Sequence, residues 1–212
     1  MFVTRQNPLT LGIVHDNGHF ILTGSNVEYR FHVDPSGDLV HDHYGVPLGD
    51  FQATPDQEGR GWGVSIAERQ REFPDSGRGD FRLPAIHIRH GSGTTVTSFK
   101  YSGYSIEAGK PSLKGLPATF GSIHEVSTLS VRLTDEVSSV DAELLYSILP
   151  KHNAITRSFR IVNNSRATIE LQRAASMSVD LPGEDWDFLR LCGDWSRETQ
   201  RERTRVNKGT QG

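Results

Sequence analysis

The sequence holds one cysteine, Cys192, in 212 residues. No intrachain disulfide can form, so nothing in the chain points to an oxidising compartment. A lone cysteine of this kind is expected as a small buried apolar residue. Long apolar runs are missing too. None approaches about 18 residues, which excludes a membrane-spanning helix. Gly12, His15, Asp16 and Asn17 interrupt the start of the chain where a leader would carry its apolar stretch. No secretory signal is expected, and the chain is expected in the cytoplasm. Neither sign of charge dominates: 23 Lys and Arg against 26 Asp and Glu leave a net charge of −3. That balance argues against nucleic acid or an anionic membrane as partner. A sustained 3.6-residue period is also absent; residues 67–71 have room for one helical turn and no more.

What is present is punctuation and alternation. Glycine (21) and proline (10) are spread along the whole chain, which suits many short strands joined by turns. Leu129, Val131 and Leu133 alternate with polar residues, as do Val140, Ala142, Leu144, Tyr146 and Ile148. Ile155, Phe159 and Ile161 form a third set, and Ile169, Leu171, Ala175, Met177, Val179 and Leu181 a fourth. Each set places apolar side chains on one face of a strand, so all four are expected in a core. Asn17-Gly18 predicts a two-residue hairpin turn, because both positions of a type I′ turn need positive φ. Asp34-Pro35-Ser36-Gly37 predicts a type I turn. Gly91-Ser92-Gly93 and Asn163-Asn164-Ser165-Arg166 each read as the turn of a further hairpin. The fold class that follows is all-β, a large antiparallel β-sandwich of two facing sheets. Residues 1–197 are expected to form this sandwich domain, and residues 198–212, nearly devoid of apolar side chains, a linker-like tail.

Four segments go beyond composition. They are Arg71-Glu72-Phe73-Pro74-Asp75-Ser76-Gly77-Arg78-Gly79-Asp80-Phe81-Arg82-Leu83-Pro84-Ala85, Lys110-Pro111-Ser112-Leu113-Lys114-Gly115-Leu116-Pro117-Ala118-Thr119, Arg173-Ala174-Ala175-Ser176-Met177-Ser178-Val179-Asp180-Leu181-Pro182 and Gly193-Asp194-Trp195-Ser196-Arg197-Glu198. In this order and at these spacings the chain resembles the N-terminal domain of family 36 α-galactosidases, the melibiases. The resemblance implies a β-sandwich that in the family precedes a catalytic (β/α)8 barrel, and that barrel is absent from this chain. It implies hydrolysis of terminal α-linked galactose from melibiose, raffinose and galactomannan fragments. It also implies a homo-oligomer, often a tetramer, and no cofactor.

Retaining glycoside hydrolysis needs two carboxyl groups about 5–5.5 Å apart. In the resembled family the nucleophile sits in a Lys-Trp-Asp-x-Asn motif on the barrel, and no such motif occurs here. Trp186-Asp187 is the nearest echo, with Asp185 and Leu189 in the flanking places; it reads as a turn with an aromatic cover. The chain alone is therefore expected to be inactive, with its missing barrel and α-galactoside saccharides as partners. By resemblance, Asp50, Trp62 and Trp195 fall on positions that line a neighbouring subunit's substrate pocket. An indole packs against the apolar face of a sugar ring, and a carboxylate accepts hydrogen bonds from its hydroxyls. The Asp80–Arg82 pair is expected to hold the shape of its loop. His41-Asp42-His43 has a spacing that binds zinc in some folds, but no third ligand accompanies it, and no metal site is expected. A free-standing carbohydrate-binding module and a degenerate paralogue are the alternative readings.

Overall fold

The computed structural model describes residues 11–49, 70–115, 118–180 and 185–207. Two compact units emerge, Met1–Val179 and Asp180–Gly212. No helix among the described residues is long and apolar enough to cross a membrane.

The first unit is built from two antiparallel four-stranded meanders. One runs β1 (Gly12–Asp16), β2 (His19–Thr23), β3 (Glu28–Val33), β4 (Leu39–Gly45) in that spatial order. Asn17 (φ 46°) and Gly18 (φ 81°) close the first hairpin as their residue types require. Asp34 closes the third: its carboxylate accepts hydrogen bonds from the Ser36 and Asp38 amides, each at 2.8 Å. β5 (Ile86–Arg89) follows, and then the second meander: β6 (Lys100–Ala108), β7 (Ser127–Asp135), β8 (Val140–Leu149) and β9 (Ala154–Asn163). β10 (Glu170–Ala174) pairs with β5 as a small separate sheet. In β6 a bulge lies between Tyr101 and Gly103, and Gly103 takes φ 149° to make it.

The core lies between the facing sheets. Phe20, Leu22, Tyr29 and Phe31 come from one side, and Leu129, Val131, Leu133, Ala142, Leu144, Tyr146 and Ile148 from the other. Phe31 stacks on Tyr146 at 5.0 Å between ring centroids. Ile86, Ile88, Phe73 and Phe99 extend the same cluster towards the small sheet. The alternation seen in β7, β8 and β9 thus marks the core face as expected.

Three local expectations are corrected. Residues 163–166 do turn the chain, but β10 crosses to β5 instead of pairing with β9. Residues 90–94 form a tight turn closed by the His90 amide on the Thr94 carbonyl at 2.9 Å, yet the chain beyond them does not pair with β5. The fourth alternating set does not make one strand. A bulge between Leu171 and Arg173 breaks its period of two, and Leu171 and Met177 are exposed while Ile169 and Ala175 pack on the core.

The second unit is a hairpin of β11 (Asp187–Cys192) and β12 (Gln200–Arg205), in register from Asp187 opposite Arg205 to Cys192 opposite Gln200. β12 lies within the stretch read as linker-like. Its side chains are all polar, so no apolar pattern marks it; its backbone pairing and the cross-strand pairs of Arg203 and Arg205 with Asp187 hold it in place. Along the chain the two compact units meet before this hairpin, between Val179 and Asp180.

A buried carboxylate joins the two large sheets. Residues 70–72 run beside β4, with the His41 amide on the Gln70 carbonyl and the Glu72 amide on the Leu39 carbonyl. The Glu72 side chain is fully buried. Its Oε1 accepts from Tyr29 Oη at 2.7 Å and His41 Nδ1 at 2.9 Å. Its Oε2 accepts from Tyr146 Oη at 2.9 Å and pairs with Arg157 Nη1 at 3.2 Å. Arg157, on β9, also lies over the Tyr146 ring at 4.7 Å and donates to the Glu72 carbonyl. Burial by itself pushes the Glu72 carboxyl up; the Arg157 charge and the His41 and Tyr29 hydrogen bonds outweigh it and hold the group below the ordinary glutamate range.

Glu72→Ala strands a buried guanidinium, and a loss of about 3–5 kcal/mol of unfolding free energy is expected in urea titration. A second outcome concerns pH. Because the folded-state value is depressed, the stabilisation by Glu72 is complete above the unfolded value of about 4.3. It is lost as pH falls through the lower folded-state value. Asp38 and Asp80 shift in the same direction. Thermal unfolding followed by circular dichroism is expected to give a midpoint that drops steeply below about pH 4.3.

Candidate functional site

Three carboxylates and three arginines fix the loop that follows Glu72. Asp75 Oδ1 receives Arg71 Nη2 at 2.6 Å and Arg78 Nε at 3.1 Å, and its Oδ2 receives the Phe99 amide at 2.9 Å. Asp38 Oδ1 receives Arg78 Nη2 at 2.7 Å. Arg82 grips Asp80 with two parallel bonds, Nε to Oδ1 at 3.0 Å and Nη2 to Oδ2 at 2.8 Å. The expected Asp80–Arg82 clasp is therefore present. It presents the ring of Phe81, between the two, to solvent at 92% exposure. Gly77 needs its residue type: it sits at φ 95°, and a Cβ there would meet Val96 at 2.8 Å.

Of the three residues singled out as pocket-lining, Asp50 and Trp62 lie outside the described residues. Trp195 is described. It occupies the seven-residue loop joining β11 to β12, at 91% exposure. The loop is shaped locally: the Asp194 carboxylate accepts the Trp195 amide at 2.7 Å, the Arg197 amide returns to the Asp194 carbonyl at 2.9 Å, and Ser196 and Thr199 take positive φ. An indole in this position is held out as a flat apolar plate, the form of surface that packs on a sugar ring.

Several carboxylates are held by arginines in the ionised form. A general acid needs a raised pKa. For Asp38, burial raises the carboxyl, and the Arg78 hydrogen bond and the Arg71 charge pull it below its ordinary range. The Arg203 hydrogen bond does the same for Asp187, so the echo of a catalytic motif at Trp186-Asp187 is an arginine-paired strand residue. Cys192 is part-exposed on β11 and not buried as expected. Its thiol donates to Glu202 at 3.1 Å, and that bond pushes its pKa up, away from a reactive thiolate.

The histidines are sorted by a bulge that the sequence does not announce. On β4, His43 lies opposite Arg30 and His41 opposite Phe31, with Asp42 as the extra residue. His41 goes to Glu72 while His43 Nε2 meets the Val46 carbonyl at 2.9 Å, so the pair does not act as one ligand set. Asp42 instead joins His19 and His32. Their coming together depends on strand register and on one inserted residue, neither of which leaves a spacing signal.

Comparison with known proteins bears on the whole chain. The model of the glycosyl hydrolase family 36 N-terminal domain matches residues 37–212. Alpha-galactosidase 2 of Hypocrea jecorina is 51% identical over 196 residues, which are 91% of this chain and 26% of that protein. The crystal structure of the GH36 alpha-galactosidase AgaB from Geobacillus stearothermophilus superposes with a TM-score of 0.85 at 32% identity, covering 94% of this chain and 29% of that one. A doubly substituted AgaA of the same organism, solved in complex with raffinose, gives a TM-score of 0.79 at 34% identity over 90% of this chain and 28% of its own. The chain thus spans between a quarter and a third of the length of these relatives. It carries their all-β N-terminal part, without the barrel, and it belongs to the glycosyl hydrolase family 36 N-terminal domain family.

Proposed function

We propose that this chain serves α-galactoside hydrolysis as a non-catalytic sandwich that presents Trp195 to a saccharide bound at a catalytic barrel of the family. The observation that carries this reading is Trp195 itself, 91% exposed on a loop shaped by its own backbone. Within this chain Trp195 has no packing role that would cover it. Two further features support it. Asp38, Glu72, Asp80 and Asp187 are all held in the ionised form by arginines, so none is suited to give a proton to a leaving sugar. The hairpin also exposes Leu189 and Leu191, apolar surface of the sort that a partner covers. The saccharides in question are those with terminal α-linked galactose, raffinose among them, and the assembly is a homo-oligomer in which one subunit's Trp195 reaches the substrate pocket of another. Asp50 and Trp62 are assigned to the same pocket wall.

Purified chain is expected to show no turnover of a nitrophenyl α-galactoside; saturable turnover that co-purifies with it and survives removal of contaminants overturns the non-catalytic assignment. The role of Trp195 is tested in a chimaera, in which this chain replaces the matching N-terminal part of the Hypocrea enzyme. There Trp195→Ala is expected to raise KM for raffinose about 3- to 10-fold, the loss of one aromatic contact. An unchanged KM in a folded, active chimaera removes Trp195 from the pocket.

A further inference from the structure

His19 on β2 and His32 on β3 are direct cross-strand partners. Their chain neighbours Phe20 and Phe31 enter the core, so by strand alternation both imidazoles stand on the opposite face of the sheet. The β4 bulge sends Asp42 to the same place. His32 Nδ1 is 2.7 Å from Asp42 Oδ1, and His19 Nδ1 is 3.7 Å from Asp42 Oδ2. The two imidazole rings lie 5.1 Å apart, and one ligand atom from each of the three residues falls within 4.8 Å of the others. The His32 and Asp42 side chains are about nine-tenths buried, at 10% and 11% exposure, and His19 is 40% exposed.

A hydrogen bond explains the His32–Asp42 contact. It does not explain His19, whose 3.7 Å approach is too long to be one. A shared cation accounts for all three. Bonds of about 2.0–2.2 Å from a tetrahedral ion to imidazole nitrogen and carboxylate oxygen place neighbouring ligand atoms about 3.3 Å apart. The 2.7 and 3.7 Å separations lie on either side of that value but end on the two different oxygens of Asp42, so side-chain rotations bring the three ligand atoms, all within 4.8 Å, onto one ion. We propose that His19, His32 and Asp42 form a binding site for one first-row divalent cation. Two imidazoles and a carboxylate suit zinc, nickel or copper and not magnesium or calcium. Three protein ligands leave one position for water, and the exposed edge of His19 gives the ion its way in. Binding through His32 Nδ1 requires its proton to leave that nitrogen, to Nε2 of the same ring or to solvent. The ion then ties β2, β3 and β4 together, so its effect is to brace the first sheet.

The test uses the full chain without a histidine tag, stripped with chelator and titrated calorimetrically with zinc, with bound metal measured after gel filtration. One zinc per chain is expected to remain, and the thermal midpoint is expected to rise with added zinc. His19→Ala, at the exposed corner of the site, is expected to weaken binding at least ~10-fold while leaving the circular dichroism spectrum unchanged; Asp42→Asn is expected to do the same. Absence of stoichiometric zinc overturns the proposal. So does zinc that stays bound with equal affinity in His19→Ala, since it then resides on other histidines.

Discussion

Glu72 is the constraint on which the first unit turns. A carboxylate with no solvent exposure is costly unless every lone pair is occupied and a countercharge stands near. Tyr29 and His41 satisfy one oxygen and Tyr146 and Arg157 the other, and these partners come from β3, β4, β8 and β9. Hydrophobic contact between the sheets is non-directional and tolerates sliding. A four-partner carboxylate does not. A small shift of one sheet over the other would leave a buried charge unsatisfied, so this cluster fixes the relative position that the Phe31–Tyr146 stack alone would leave loose. The neighbouring Asp38, Asp75 and Asp80 network extends the same principle into the loop, where arginine replaces strand pairing as the means of holding shape.

Much of this architecture is legible in the residues because strand alternation is local. The sets from Leu129 and Val140 onward announce β7 and β8, and Asn17-Gly18 announces its hairpin, since each depends on nearest neighbours alone. What escapes is non-local. Residues 163–166 look the same whether the next strand returns to β9 or crosses to β5; only tertiary packing decides. The bulge at Asp42 inserts one residue and turns His43 away from the face that His41 occupies, and a second bulge after Leu171 shifts the register of β10. Met177 reads as core because it shares the parity of Ala175, but it lies past the end of β10, where strand alternation no longer applies; β12 reads as linker because its six side chains carry no apolar period.

The candidate site divides in the same way. Trp195 stands out in sequence through the motif around it, and its exposure agrees with a surface role without fixing which one. The His19, His32 and Asp42 grouping has no motif, because its members come from three strands and meet through register. Sequence resemblance is a good guide to what a relative already does and a poor one to a grouping that pairing alone creates.

One detail of β6 reaches beyond the single molecule. As the outer strand of its sheet it has nine residues with Tyr104 and Ile106 partly exposed, the profile of a strand that recruits foreign strands. The bulge at Gly103 interrupts the strand partway along, past the Tyr101 amide, which the Gly37 carbonyl takes at 2.8 Å. A bulge at an outer strand is one of the means by which sheets discourage edge-to-edge pairing, and here it rests on a residue with no side chain, facing open space.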